Sequence, residues 1–100
     1  MSKLANILAN MFKLPSEIQA DLAEKARLLR KSKKQSQANL AQRAGVSLGS
    51  VKRFEQTGQI SLESLLKLAQ VLDNLPAFEK LFEIPAAQPK NMDELIRQLQ

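Results

Sequence analysis

A chain of 100 residues with 44% apolar and 25% charged side chains can bury one compact core and is too apolar for a disordered tail. It has no Cys and no His, which excludes a disulfide framework and a Cys/His zinc site, and no apolar run nears the roughly 18 residues of a membrane span. The net charge of +5 is concentrated: residues 25–54 hold nine basic side chains and no acid, while residues 1–24 sum to −1 and residues 55–100 to −3. Charge confined to one segment is the footprint of a polyanion partner; the competing reading is a solvated basic face. The absence of a long apolar core and a small-residue cleavage site at the N-terminus reads as a cytoplasmic protein without a signal peptide.

Leu, Ala, Gln and Lys dominate the composition and point to helices. In residues 3–13, Leu4, Ile7, Leu8, Met11 and Phe12 recur at helical spacing and predict an amphipathic helix. Pro15 interrupts it, and Ser16 is the predicted cap of a helix over 16–33 with Ile18, Leu22, Ala26 and Leu29 on one face. Ser36 is the predicted N-cap of a short helix over 37–44, ended by Gly45; Ser47 caps the next, over 48–55. Thr57-Gly58 signals a turn. Ser61 opens a helix whose predicted core face is Leu62, Leu65, Leu66, Ala69 and Leu72, and Asp73-Asn74 stops it before Pro76. Phe78, Leu81 and Phe82 sit on a further short helix, the two phenylalanines as core. Residues 85–91 read as a linker, and a last short helix carries Leu95, Ile96 and Leu99. The predicted fold class is all-α.

Residues 36–55 carry the most specific pattern. Two short helices meeting at a sharp turn need a small residue where they approach, supplied by Ala41, and a turn residue that tolerates positive φ, supplied by Gly45. Leu40, Ala44, Val46, Val51 and Phe54 form the inward face, anchored by Val51. The polar side chains are left outside. No nucleophile–base pair with a His exists and no paired carboxylates occur, so no enzyme and no cofactor are predicted.

The stretch Arg27-Leu28-Leu29-Arg30, Ser36-Gln37-Ala38-Asn39-Leu40-Ala41, Gly45-Val46-Ser47, Val51 and Phe54-Glu55 resembles the Cro/CI-type helix-turn-helix domain, also called Xre, over roughly residues 25–82. The family often carries Gly and an apolar residue where Lys34-Gln35 stand here. The resemblance implies a compact five-helix domain over 15–84, flanked by an N-terminal amphipathic helix over 1–14 and a linker and short helix over 85–100. It implies a phosphate contact for Gln37 and a salt bridge, or at least side-chain reach, between Arg27 and Glu55. The predicted function is sequence-specific repression by occupying a palindromic double-stranded DNA operator as a homodimer. The helix 48–55 enters the major groove, with Ser47, Leu48, Gly49, Ser50, Lys52 and Arg53 facing the DNA. Arg30, Lys33, Lys34 and Arg43 contact phosphate and set affinity rather than sequence preference. Leu4, Ile7, Leu8, Met11 and Phe12 form a candidate interaction surface. The size and the apolar appendages look similar to HipB-type antitoxins, which partner a HipA-type kinase. A phage or prophage repressor and a protein-interaction adaptor remain open as alternatives.

Overall fold

The computed structural model describes residues 3–5, 13–85 and 92–99, and these contain helices and no strand. In chain order the helices are α1 (Pro15–Ser32), α2 (Gln37–Ala44), α3 (Leu48–Thr57), α4 (Leu62–Val71), α5 (Pro76–Glu79) and α6 (Met92–Leu99). The predicted all-α class holds, and α1 to α5 are the five helices expected of the central domain. Of the N-terminal apolar stripe, Leu4 lies on a helical stretch and is exposed. Ile7, Leu8, Met11 and Phe12 lie outside the described residues.

The helix starts are set locally. Ser36, Ser47 and Ser61 each adopt extended backbone and accept the N–H of the residue three positions on, Asn39, Ser50 and Ser64 respectively. Each hydroxyl satisfies one of the donors that a helix start leaves unpaired. The start of α1 differs from expectation. Its cap is Leu14, with Pro15 in the first helical position and the Glu17 carboxylate accepting the Leu14 N–H at 3.4 Å. Proline suits that position because its missing N–H has no partner to lose there, so Ser16 is displaced from the capping role.

Three of the helix ends share a device that is only half legible in the sequence. After α2, the N–H of Gly45 donates to Gln42 O and that of Val46 to Ala41 O, with Gly45 at φ 71°. The same paired bonds close α1, from Lys34 to Lys31 O and Gln35 to Arg30 O, and close α4, from Asp73 to Gln70 O and Asn74 to Ala69 O. This motif needs a left-handed residue, ordinarily glycine. Lys34 at φ 56° and Asp73 at φ 58° fill it with side chains present. A Cβ in this conformation costs about 1–2 kcal/mol. Lys34→Gly is therefore expected to stabilise the fold by about 1 kcal/mol, the glycine's larger unfolded-state entropy offsetting the rest. Chemical denaturation of the two proteins checks this.

Ala23, Leu40, Ala41, Val51, Phe54, Leu68 and Leu72 form the buried cluster, with Ala26, Leu29, Ala44, Val46, Ile60, Leu65 and Val71 packed around it. Helix α3 packs on both α1 and α2, and α2 packs on α4. The α3–α4 turn fits closely against α1: Gly58 is buried at φ 77°, and a Cβ there would lie 2.9 Å from the Gln19 backbone. Four apolar residues expected inside are not. Ile18, Leu22 and Leu62 are exposed, and Phe82, at φ 63°, projects fully into solvent beside exposed Leu81 and Ile84. The apolar stripe of α1 is wider than the strip its neighbours cover. Phe82 falls after α5 ends, where no other described helix reaches it. Phe78 is partly buried, at the rim of an apolar groove lined also by Leu22, Ala26, Leu29 and Leu65.

Candidate nucleic-acid interface

Helix α3 has one face committed to the core. Val51, Phe54 and the following Gly58 are buried. At 100° per residue the opposite face is centred on Gly49, Arg53 and Gln56, spaced i, i+4 and i+7, with Lys52 on one flank. All four are exposed, as is Leu48 at the helix start. Nothing in the fold requires glycine at position 49: a Cβ there would meet only the Ser47 hydroxyl, at 4.0 Å. Ser47 and Ser50 are turned to the cap, their hydroxyls 2.8 Å apart and Ser47 Oγ accepting the Ser50 N–H at 3.0 Å.

The ion pair that ties α1 to α3 is made by Arg30, not Arg27. Arg30 Nε and Nη2 donate to the two Glu55 carboxylate oxygens at 2.7 and 2.9 Å, and Nη1 donates to Gln35 O at 2.8 Å. The two side chains are 9% and 5% exposed. Arg27 lies one turn earlier and pairs with Glu24 of its own helix at 3.1 Å. Two expectations are corrected together. The partner of Glu55 is Arg30, and Arg30 is no phosphate contact, because its guanidinium is enclosed and bonded on three sides. Gln37 joins the same network, its amide donating to Glu55 Oε1 at 3.0 Å. That uses one of the two amide hydrogens. Burial pushes the Glu55 carboxyl up, but the hydrogen bonds from Arg30 and Gln37 and the charges of Arg30 and Arg27 outweigh it, and the net result lies below the usual glutamate value. Glu55 is the one acid between positions 25 and 62, and it is neutralised inside the protein.

The remaining basic residues are on the surface. Lys34, Arg43 and Lys52 are exposed, as is Lys31, which sequence reasoning left out although its charge places it in the same run. Lys33 is exposed and reaches Asp73 across the domain at 3.1 Å. An exposed pair of this kind is worth about 0–1 kcal/mol, so the ammonium can exchange Asp73 for another anion at little cost. Two more residues escaped the sequence reading. Gln56 shares the outward line with Arg53, which continuing the helical count past residue 55 would have shown. Gln59 accepts a hydrogen bond from Arg53, and no sequence signal marks it because the contact depends on the turn at Gly58.

Residues 27–80, more than half of the chain, match the model of a protein family described as Helix-turn-helix. No curated protein matches the chain, and no solved structure does. No helix among the described residues is long and apolar enough to cross a membrane, and no cluster of His, Cys, Asp and Glu among them could hold a metal ion.

Proposed function

Because the chain belongs to the Cro/CI-type (Xre) helix-turn-helix family of DNA-binding transcription regulators, we propose that it represses transcription by occupying a specific double-stranded operator with α3 in the major groove. The observation that carries this reading is the outward line Gly49, Arg53 and Gln56 with Lys52 beside it, on a helix whose one acid, Glu55, has its side chain buried and paired with Arg30. Lys52, Arg53 and Gln56 carry the donors that base edges accept, and Leu48 offers a methyl contact to thymine. Lys31, Lys33, Lys34 and Arg43 supply phosphate contacts, joined by the second amide hydrogen of Gln37 at the start of α2. A single recognition helix reads few base pairs, so two copies on a palindrome are expected, with the exposed Leu81, Phe82 and Ile84 as a candidate contact surface.

The test begins with enrichment of bound duplexes from a random-sequence pool. On the enriched duplex, Arg53→Ala and Lys52→Ala are each expected to weaken binding by about 1–3 kcal/mol if the lost contact is to a base. Lys33→Ala is expected to weaken specific and non-specific duplexes alike and to flatten the salt dependence by about one unit. Unchanged affinity in a folded Lys52/Arg53 double variant would remove α3 from the reading role. A light-scattering mass of one copy per duplex would remove the dimer.

Autoregulation of a toxin–antitoxin operon, with a HipA-type kinase as partner, is the finer form of this reading. Ile96 and Leu99, exposed on α6 and outside the surface given to the second copy, favour a further protein contact. Co-purification with a kinase encoded beside this gene tests it; the free kinase in every preparation would sink it.

A further inference from the structure

We propose that Gln59 is a positioning residue that presets the Arg53 guanidinium for base recognition, which rests on the reading of α3 as the helix that meets DNA. Arg53 and Gln59 are six residues apart, beyond the i+3 and i+4 spacing at which side chains meet on a helix surface. They meet because the chain reverses at Gly58. Arg53 Nη2 donates to Gln59 Oε1. The backbone under that contact is fixed twice over. The Thr57 hydroxyl donates to Arg53 O at 2.7 Å and accepts the Gln59 N–H at 3.1 Å, so one side chain joins the two partners' main chains. Gly58 is buried in the left-handed conformation against the Gln19 backbone, and its carbonyl accepts from Gln19 Nε2 at 3.5 Å. Gln59 therefore stands on a mount held by both α3 and α1.

The consequence concerns Arg53, in the middle of the outward line of α3. An arginine has five N–H donors in a planar fork. Gln59 uses one of them and draws the head toward the C-terminal end of α3. Four donors stay available: the bond to Gln59 occupies one Nη2 hydrogen, and the other Nη2 hydrogen still completes one of the two parallel N–H pairs of the guanidinium, the geometry that a guanine O6/N7 edge accepts. Restraining the long side chain before binding removes part of the entropy cost of ordering it in the complex. It also limits which base step the fork reaches, and that is selectivity.

The experiment uses the full chain, with Arg53→Ala, Gln59→Ala and Gln59→Glu variants. Two readouts are taken: the order parameter of the Arg53 Nε–H group by NMR relaxation without DNA, and the base preferences of sequences enriched from a random duplex pool. Gln59→Ala is expected to lower the Arg53 order parameter. It should also relax, about two- to tenfold, the preference at the base position whose preference Arg53→Ala abolishes, leaving the other positions and binding to unselected duplex unchanged. Gln59→Glu keeps an acceptor in place and is expected to retain both the order and the preference, at lower total affinity. An Arg53 equally ordered in wild type and Gln59→Ala, an unchanged base preference, or a Gln59→Glu protein that behaves like Gln59→Ala would each overturn the positioning role. If Arg53→Ala alone still alters the enriched sequence, α3 keeps its reading role and only the part given to Gln59 falls. If wild type enriches no sequence, or Arg53→Ala enriches the same one, the underlying reading fails and the proposal falls with it.

Discussion

Arg30→Met is expected to cost the fold about 3–5 kcal/mol, measured by chemical denaturation at neutral pH. The loss is large because of what stays behind. Glu55 keeps its burial and loses the two charge-assisted bonds that hold it, leaving Gln37 as a neutral partner. Arg27→Met removes an exposed pair with Glu24 and the lesser charge interaction with Glu55, and is expected to cost about 1 kcal/mol. The comparison decides which arginine anchors α1 to α3. Replacing both members of the buried pair, with Arg30→Met and Glu55→Leu together, is expected to recover most of the loss, since no unpaired charge remains. The pH dependence has opposite signs in the two proteins. In wild type the Glu55 carboxyl lies below its usual value, so its contribution is present above the unfolded glutamate pKa and is lost as pH falls through the lower folded one. In Arg30→Met, burial without the cation raises the folded value, so protonation relieves the penalty as pH falls. The two stability curves should converge on acidification below about pH 5. Parallel curves would show that Glu55 does not carry the coupling.

What the sequence disclosed of this network, and what it hid, follows from the range of the interactions. Caps are local, so Ser36, Ser47, Ser61 and Gly45 were legible from their own neighbours. The inward residues Leu40, Ala41, Val51 and Phe54 were legible because helical spacing and the turn fix one face. Arg27 and Arg30 are three residues apart on one helix, about 60° around its axis. Which of them reaches Glu55 depends on how α1 crosses α3, and no local pattern contains that angle. Lys34 was hidden for another reason. The left-handed position it fills is ordinarily announced by glycine, and here the announcing residue is missing while the backbone motif persists. Phe82 was misread because burial of an aromatic side chain is decided by what lies opposite, and its strained, solvent-facing placement has no signature in the chain. Gln59 belongs to the same class, its partner lying across a turn.

Gly49 is where stability and the proposed function are expected to part. In a helix interior glycine is less favourable than alanine by about 0.5–1 kcal/mol, which is an upper bound for Gly49 as the second residue of α3. The fold gains nothing in return at position 49, where a Cβ would meet only the Ser47 hydroxyl, at an ordinary contact distance. Gly49→Ala is therefore expected to raise stability by up to that amount. The same methyl group stands at the centre of the outward face, one turn before Arg53, where the DNA surface must come closest if α3 enters the major groove. Affinity for an enriched duplex is expected to fall as stability rises. Gly49→Glu sharpens the test. The folded protein should tolerate an exposed glutamate, which is a better helix former than glycine and suits the first turn of α3, so its thermal stability should not fall. In the complex that carboxylate would be held unpaired between the helix and a polyanion, at a cost of about 3 kcal/mol or more by the rule for an unpaired buried charge, roughly a hundredfold in affinity. Circular dichroism melts and duplex titrations on the same two variants separate the effects. A gain in stability from Gly49→Ala with unchanged DNA affinity for both variants would place the DNA on another face of the domain. A loss of stability from Gly49→Ala would show that the glycine serves the fold.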